Sequence, residues 1–178
     1  MRVVTLGALM SIVAMLPCYS TAAEDLPERT LKGIRSVEVL VDSLKESSPT
    51  RIVLPGTIQT DVELRLRQFG LRVVSSDKMS ADSGFPNLRV RLNVLDQTMG
   101  LEGTLVGYFF VVKVEVFQWV TLVRPPRSLA RALTWTSRGV YGYVGTEKAD
   151  SIQDAVRGEV DQFLNAYLAA NPKSTGSR

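Results

Sequence analysis

Residues 108–123 read YFFVVKVEVFQWVTLV, and of these sixteen only Lys113, Glu115, Gln118 and Thr121 are polar. A membrane-spanning helix needs about 20 apolar residues. The run is shorter than that, and Lys113 near its centre would alone cost roughly 2.5–3.5 kcal/mol on insertion. Valine and aromatic residues favour a strand, so the reading is one long strand over 107–123. Its even positions, Tyr108 to Leu122, form a core face. The odd positions are Phe109, Val111, Lys113, Glu115, Phe117, Trp119, Thr121 and Val123, apolar at both ends and charged in the middle. An ordinary solvent face does not look like that.

The other segments supply partners for this strand. Val37, Val39 and Val41 alternate with more polar neighbours, giving a strand at 35–43. Ile58, Val62, Leu66 and Phe69 draw one stripe along a helix at 58–69. Thr57 is placed to cap its start and Gly70 to end it. Ile52-Val53-Leu54 reads as a short strand or the entry to that helix. LRVVS (71–75) is a second strand, and SSDKMSADSGFPN (75–87) a surface loop. NLRVRLNVLD (87–96) alternates cleanly as a third. Gly100, Gly103 and Gly107 mark a hairpin connection, and RPPRS (124–128) a turn. LARALTWTSRG (129–139) returns antiparallel, with Leu129, Arg131, Leu133 and Trp135 on one side. VYGYVG (140–145) leads out. Ile152, Val156, Val160, Phe163 and Tyr167 form the strongest helix, 151–169, capped by Asp150 or Ser151. The fold class is α/β of the α+β type. It has a mixed, largely antiparallel sheet of about five strands, the order β-α-β-β-β-β-α, and two amphipathic helices on one face.

The side-chain inventory excludes much chemistry. The chain has no histidine, which removes the serine triad, the Cys–His pair and histidine-ligated zinc or haem. The net charge is only +3 and the arginines are scattered, so nucleic-acid binding is not expected. The glycines at 100–107 open a strand rather than a helix and lack phosphate-loop spacing. Asp77 and Asp82 lack the spacing of a calcium loop. No cofactor or metal site is read.

Arg2, the apolar run Val3–Leu16 and small residues Thr21 and Ala23 have the pattern of a secretory signal cut before Glu24. Cys18, the only cysteine, raises the alternative of a lipid anchor, although Pro17 beside it departs from the lipoprotein pattern. The expected division is a signal peptide at 1–23, one α/β domain at 24–170 and a loose tail at 171–178. No integral membrane span is expected in the mature chain, and its place is the periplasm or the exterior.

The element order behind such a signal resembles the small α/β modules of bacterial envelope proteins, namely the amino-terminal domain of the Tol-Pal propeller protein and the curli secretion lipoprotein. The stretches IQTDVELRLRQFGLRV and VDQFLNAYLAANP resemble an uncharacterised group of secreted bacterial proteins. That likeness implies a compartment and a fold, and brings no activity.

Two classes of function follow. The first is a non-enzymatic envelope binding or assembly protein acting through a sheet face, with a protein partner or a second copy of itself. Its contact surface is centred on Phe117 and Trp119, with Leu133 and Trp135 beside them and Arg91 and Arg131 at the rim. The lead-in 24–34 and the loop 96–107 are the segments of the chain that could cover that face instead. The second class is a small secreted hydrolase using Glu115 beside Lys113, or Asp61 with Glu63. Mass spectrometry of the exported protein is expected to find Glu24, or a residue within a few positions, at its amino terminus. A lipid-modified Cys18 would reverse that reading.

Overall fold

Along the apolar strand, Tyr108, Phe110, Val112, Val114 and Val116 are all buried, whereas Phe109, Val111 and Trp119 are exposed. The computed structural model thus resolves the two faces as alternation requires. It describes residues 26–44, 55–75, 78 and 84–172. The signal segment, Ile52–Leu54, the loop from Lys45 to Arg51, most of the 75–87 loop and residues 173–178 lie outside the described residues.

In chain order the elements are α1 (Leu26–Arg29), β1 (Ser36–Leu44), α2 (Pro55–Gln68), β2 (Arg72–Val73), β3 (Asn87–Met99), β4 (Thr104–Thr121), β5 (Leu129–Thr136), β6 (Val140–Gly145) and α3 (Ser151–Ala170). The sheet has six strands in the order β2-β1-β3-β4-β5, with β6 also paired to β4. β1 runs parallel to β2 and β3, and the remaining pairings are antiparallel. The sixth strand is VYGYVG, read from sequence as a lead-out. Its glycines are there for space: a Cβ on Gly142 would meet the Phe110 ring at 2.8 Å.

Helix α2 starts at Pro55, three positions before the expected boundary, because proline is favoured in a first turn whose N–H groups need no partner. Thr57 therefore lies inside it. Gly70, at φ +89°, ends it, with the Leu71 N–H donating to Leu66 O. Helix α3 follows a short 3-10 turn, and Asp150 makes no side-chain cap. Ile58, Val62 and Leu66 from α2 and Val156, Val160 and Phe163 from α3 are buried in one cluster with Val90, Leu92, Phe110, Val112 and Val114. Both long helices therefore cover the same sheet face. Two ion pairs join them, Arg65 with Asp161 at 2.6 Å and Arg157 with Asp61 at 2.9 Å.

Both ends of the described residues differ from the sequence reading. The lead-in forms the turn α1 and buries Leu31 and Ile34. Asn171 does not begin a loose tail: its Oδ1 accepts the Gly33 N–H at 2.7 Å and its Nδ2 donates to Leu31 O at 3.0 Å. Tyr167 Oη donates to Ile34 O at 2.9 Å, and burial raises that phenol above its ordinary pKa.

Val160 has no exposed surface. Val160→Asp leaves an unpaired carboxylate in the core at a cost of several kcal/mol, and circular dichroism is expected to show loss of the cooperative transition. A variant that melts like the parent would remove α3 from the core.

Candidate functional site

The helices occupy one side of the sheet, and among the described residues no element covers the other, open side, although Asn87 and Glu115 are buried on it. Odd-numbered residues of β3 as far as Gln97 and of β4 from Gly107 onward point to it, and two irregularities decide which residues of β5 and β6 join them. Phe117 pairs with Leu133 but Val116 pairs with Trp135, so Thr134 is one residue too many. A bulge of this kind reverses the alternation. The extra residue turns Trp135 to the helix side, where it is 6% exposed and meets the Phe163 ring edge-on at 5.5 Å. Trp135 is therefore core and not a neighbour of Leu133, a correction to the strict alternation read from sequence. A second irregularity at 137–139 restores the parity, and Tyr141 and Tyr143 face the open side opposite Val111 and Phe109.

Four of the remaining expected residues occupy the open face together. Phe117 lies opposite Leu133, Trp119 opposite Arg131, and Trp119 is 46% exposed. Arg91 lies nearer the centre, opposite Lys113. The other end carries an apolar patch that the sequence reading did not assemble: Leu95 opposite Phe109, flanked by Tyr143 and by Tyr141 at 84% exposure. The Phe109 and Tyr143 rings are 5.1 Å apart. The signal for this patch was the alternation of Tyr141 and Tyr143 with glycine in VYGYVG.

Between the two apolar ends sits a polar centre. Arg91 Nη1 is 3.5 Å from Glu115 Oε1, and Glu115 is only 4% exposed. Arg89 lies over the Phe117 ring at 4.9 Å from its centroid. Its Nε is 3.3 Å from Asp42 Oδ2, out of line for a hydrogen bond. Asn87 Nδ2 donates to Glu38 Oε2 at 2.7 Å. Glu115 Oε2 accepts no hydrogen bond among the described residues.

Among the described residues, neither the lead-in nor the 96–107 segment covers this face. The described lead-in runs on the helix side, where Gln118 Nε2 donates to Thr30 O and Thr30 Oγ1 donates to Thr134 O. Residues 96–107 continue the β3–β4 hairpin around a turn at 100–103.

A cleft of about 480 Å³ lies between α2 and α3, lined by Thr57, Thr60, Asp61, Leu64, Gln153 and Arg157 among others. Asp61 is taken up by Arg157, whose guanidinium it holds above the ordinary value chiefly through their hydrogen bond. Glu63 instead accepts from Gln59 and Arg67. The two carboxylates of the hydrolase reading thus serve different partners. Among the described residues no group of acidic side chains is arranged to hold a metal ion.

No family model matches the chain, and no curated protein matches it. Among solved structures, the rare lipoprotein B from Shewanella oneidensis is 17% identical over 75% of this chain and 92% of that one, with a TM-score of 0.30. The hypothetical protein CT253 from Chlamydia trachomatis is 12% identical over 75% and 98%, with a TM-score of 0.42. The PelC dodecamer from Paraburkholderia phytofirmans is 13% identical over 72% and 90%, with a TM-score of 0.36. At such identities and TM-scores no property of those proteins passes to this chain.

The two tryptophans test the bulge. Trp135→Ala is expected to cost about 3–5 kcal/mol as a core truncation, and Trp119→Ala less than about 1 kcal/mol, both read from urea denaturation. Equal losses would place the two side chains in the same environment.

Proposed function

We propose that this is a non-enzymatic protein of the bacterial envelope that acts by docking its open sheet face onto a protein surface. One observation carries the reading: a rigid sheet exposes Phe109, Trp119, Leu133, Tyr141 and Tyr143 on the side that no described element covers. Large aromatic side chains held in place by a sheet gain contact area with little loss of side-chain freedom, and exposed clusters of them mark interaction sites. The charged centre gives such a surface orientation, because mismatched charges are penalised on contact.

Export through the 1–23 segment supplies the compartment. Among the described residues no helix is long and apolar enough to cross a membrane. The hydrolase alternative has less support, since Asp61, Glu63 and Glu115 each sit in an ion pair with an arginine.

Phe117→Ser combined with Trp119→Ser tests the proposal. The variant is expected to melt within a few degrees of the parent and to lose the species that the parent crosslinks to in intact envelopes. A collapse of the melting temperature would make these side chains structural, and an unchanged crosslink would move the contact elsewhere.

A further inference from the structure

Along the open side of β4 the residues run Phe109, Val111, Lys113, Glu115, Phe117, Trp119. The pattern is two apolar groups, a cation, an anion and two apolar groups. Inverted about Val114, it maps apolar positions onto apolar positions and exchanges the cation with the anion. The β4 row is therefore complementary to itself. If one copy is turned over by a two-fold axis lying in the interface and crossing β4 at Val114, residue 109 faces 119 of the other copy and 111 faces 117. Lys113 then faces Glu115. A two-fold contact is isologous, so each such match occurs twice. On β3 the same axis sets Arg91 opposite Arg89 of the other copy, each already beside a carboxylate, Glu115 or Asp42.

Resting on the reading of this face as a docking surface, we infer that its occupant is a second copy of the same chain, stacked sheet on sheet with the two β4 strands antiparallel across the axis. Two further observations support that occupant. Among the described residues Lys113 makes no ion pair, and Glu115 Oε2 accepts no hydrogen bond. The lysine lacks a counter-ion, and Glu115, paired with Arg91 through Oε1, keeps a second oxygen without a partner. Arg91, whose side chain is 54% exposed beside Glu115, has to shift for the ammonium to arrive.

The second observation is area. Fully exposed, large side chains present about 150–250 Å² each. At the exposures of Leu95, Phe109, Val111, Trp119, Leu133 and the two tyrosines, these residues offer accessible area on the order of 800 Å². That is about the share each partner contributes to a standard interface. Stacked sheets pack at about 10 Å with strands some 30° apart, which keeps the matched pairs nearest each other close to the axis.

The test uses the mature chain, 24–178, in sedimentation equilibrium. The parent is expected at twice the monomer mass. Lys113→Glu and Glu115→Lys each set like charges across the axis and are expected to weaken association about tenfold or more. An equimolar mixture of the two variants restores opposite charges at both sites and is expected to recover the dimer. A parent that stays monomeric, or a dimer indifferent to both reversals, overturns the inference.

Glu115 is buried, so its variant can fail for structural reasons, and a crosslink then decides. The mature chain has no cysteine, so Val111→Cys and Phe117→Cys can be probed cleanly with a bismaleimide reaching about 10 Å. The mixed pair is expected to link, and neither variant with itself. Self-linking without mixed linking overturns the arrangement. A monomeric parent whose envelope crosslink is still lost in Phe117→Ser/Trp119→Ser removes the second copy as occupant and leaves the docking face standing. A monomeric parent with that crosslink intact in the variant removes both.

Discussion

The peptide of Val114, at the middle of β4, is where the two halves of the structure are tied together. Its carbonyl accepts the Ser137 N–H at 2.8 Å and its N–H donates to Ser137 Oγ at 3.0 Å. One serine thus replaces the ladder partner at the point where β5 gives way to β6. Beyond it the backbone leaves the ladder and turns to α3: the Arg138 N–H donates to Gln162 Oε1, and the Gly139 N–H to Glu159 Oε2. Glu159 is buried, and Gln162 Nε2 holds its other oxygen at 2.6 Å. Buried backbone groups left without partners would cost about 1–3 kcal/mol each. The junction avoids that cost and in doing so fixes α3 against the centre of the sheet.

Everything about the two sheet faces depends on that junction and on the bulge at Thr134. β3 lines one edge of β4 from Asn87 to Met99, with a single irregularity near the hairpin, whereas the other edge is divided between two strands in different registers. Each extra residue reverses which side chains point inward. Two reversals in succession give Trp135 to the core and both tyrosines to the open face. The helix layer then has the aromatic anchor it packs on, Trp135 against Phe163, and the open side gains its second patch.

Much of this was legible in the sequence. The periodicities of 58–69 and 151–169 placed both helices on one face and named their buried stripes, because an apolar stripe at helical spacing has no other stable use than to be covered; Phe69 is the exception, lying past the end of α2 and 43% exposed. The two faces of β4 were legible for the same reason. Trp135 and the pairing of VYGYVG were not. A bulge leaves no periodic mark of its own: Thr134 is an unremarkable strand residue, and its role appears only when the register to Val116 and Phe117 is known. Asn171 was illegible for a different reason. Asparagine before proline reads as a stop signal, and only the fold brings Leu31 and Gly33 within reach of its amide.

The polar centre of the open face has a role that does not depend on what docks there. A six-stranded sheet with a continuous aromatic face would pair with any other apolar sheet it met. Buried Glu115 and the stacked Arg89 interrupt that surface in its middle, so a contact that ignores the charges must desolvate them without compensation. The free edge is treated likewise. Thr30 occupies the outward carbonyl of Thr134, and the two irregularities break the straight run of donors and acceptors that another strand could extend. Apolar ends supply adhesive area, and the interrupted centre and edge restrict which surfaces can match it.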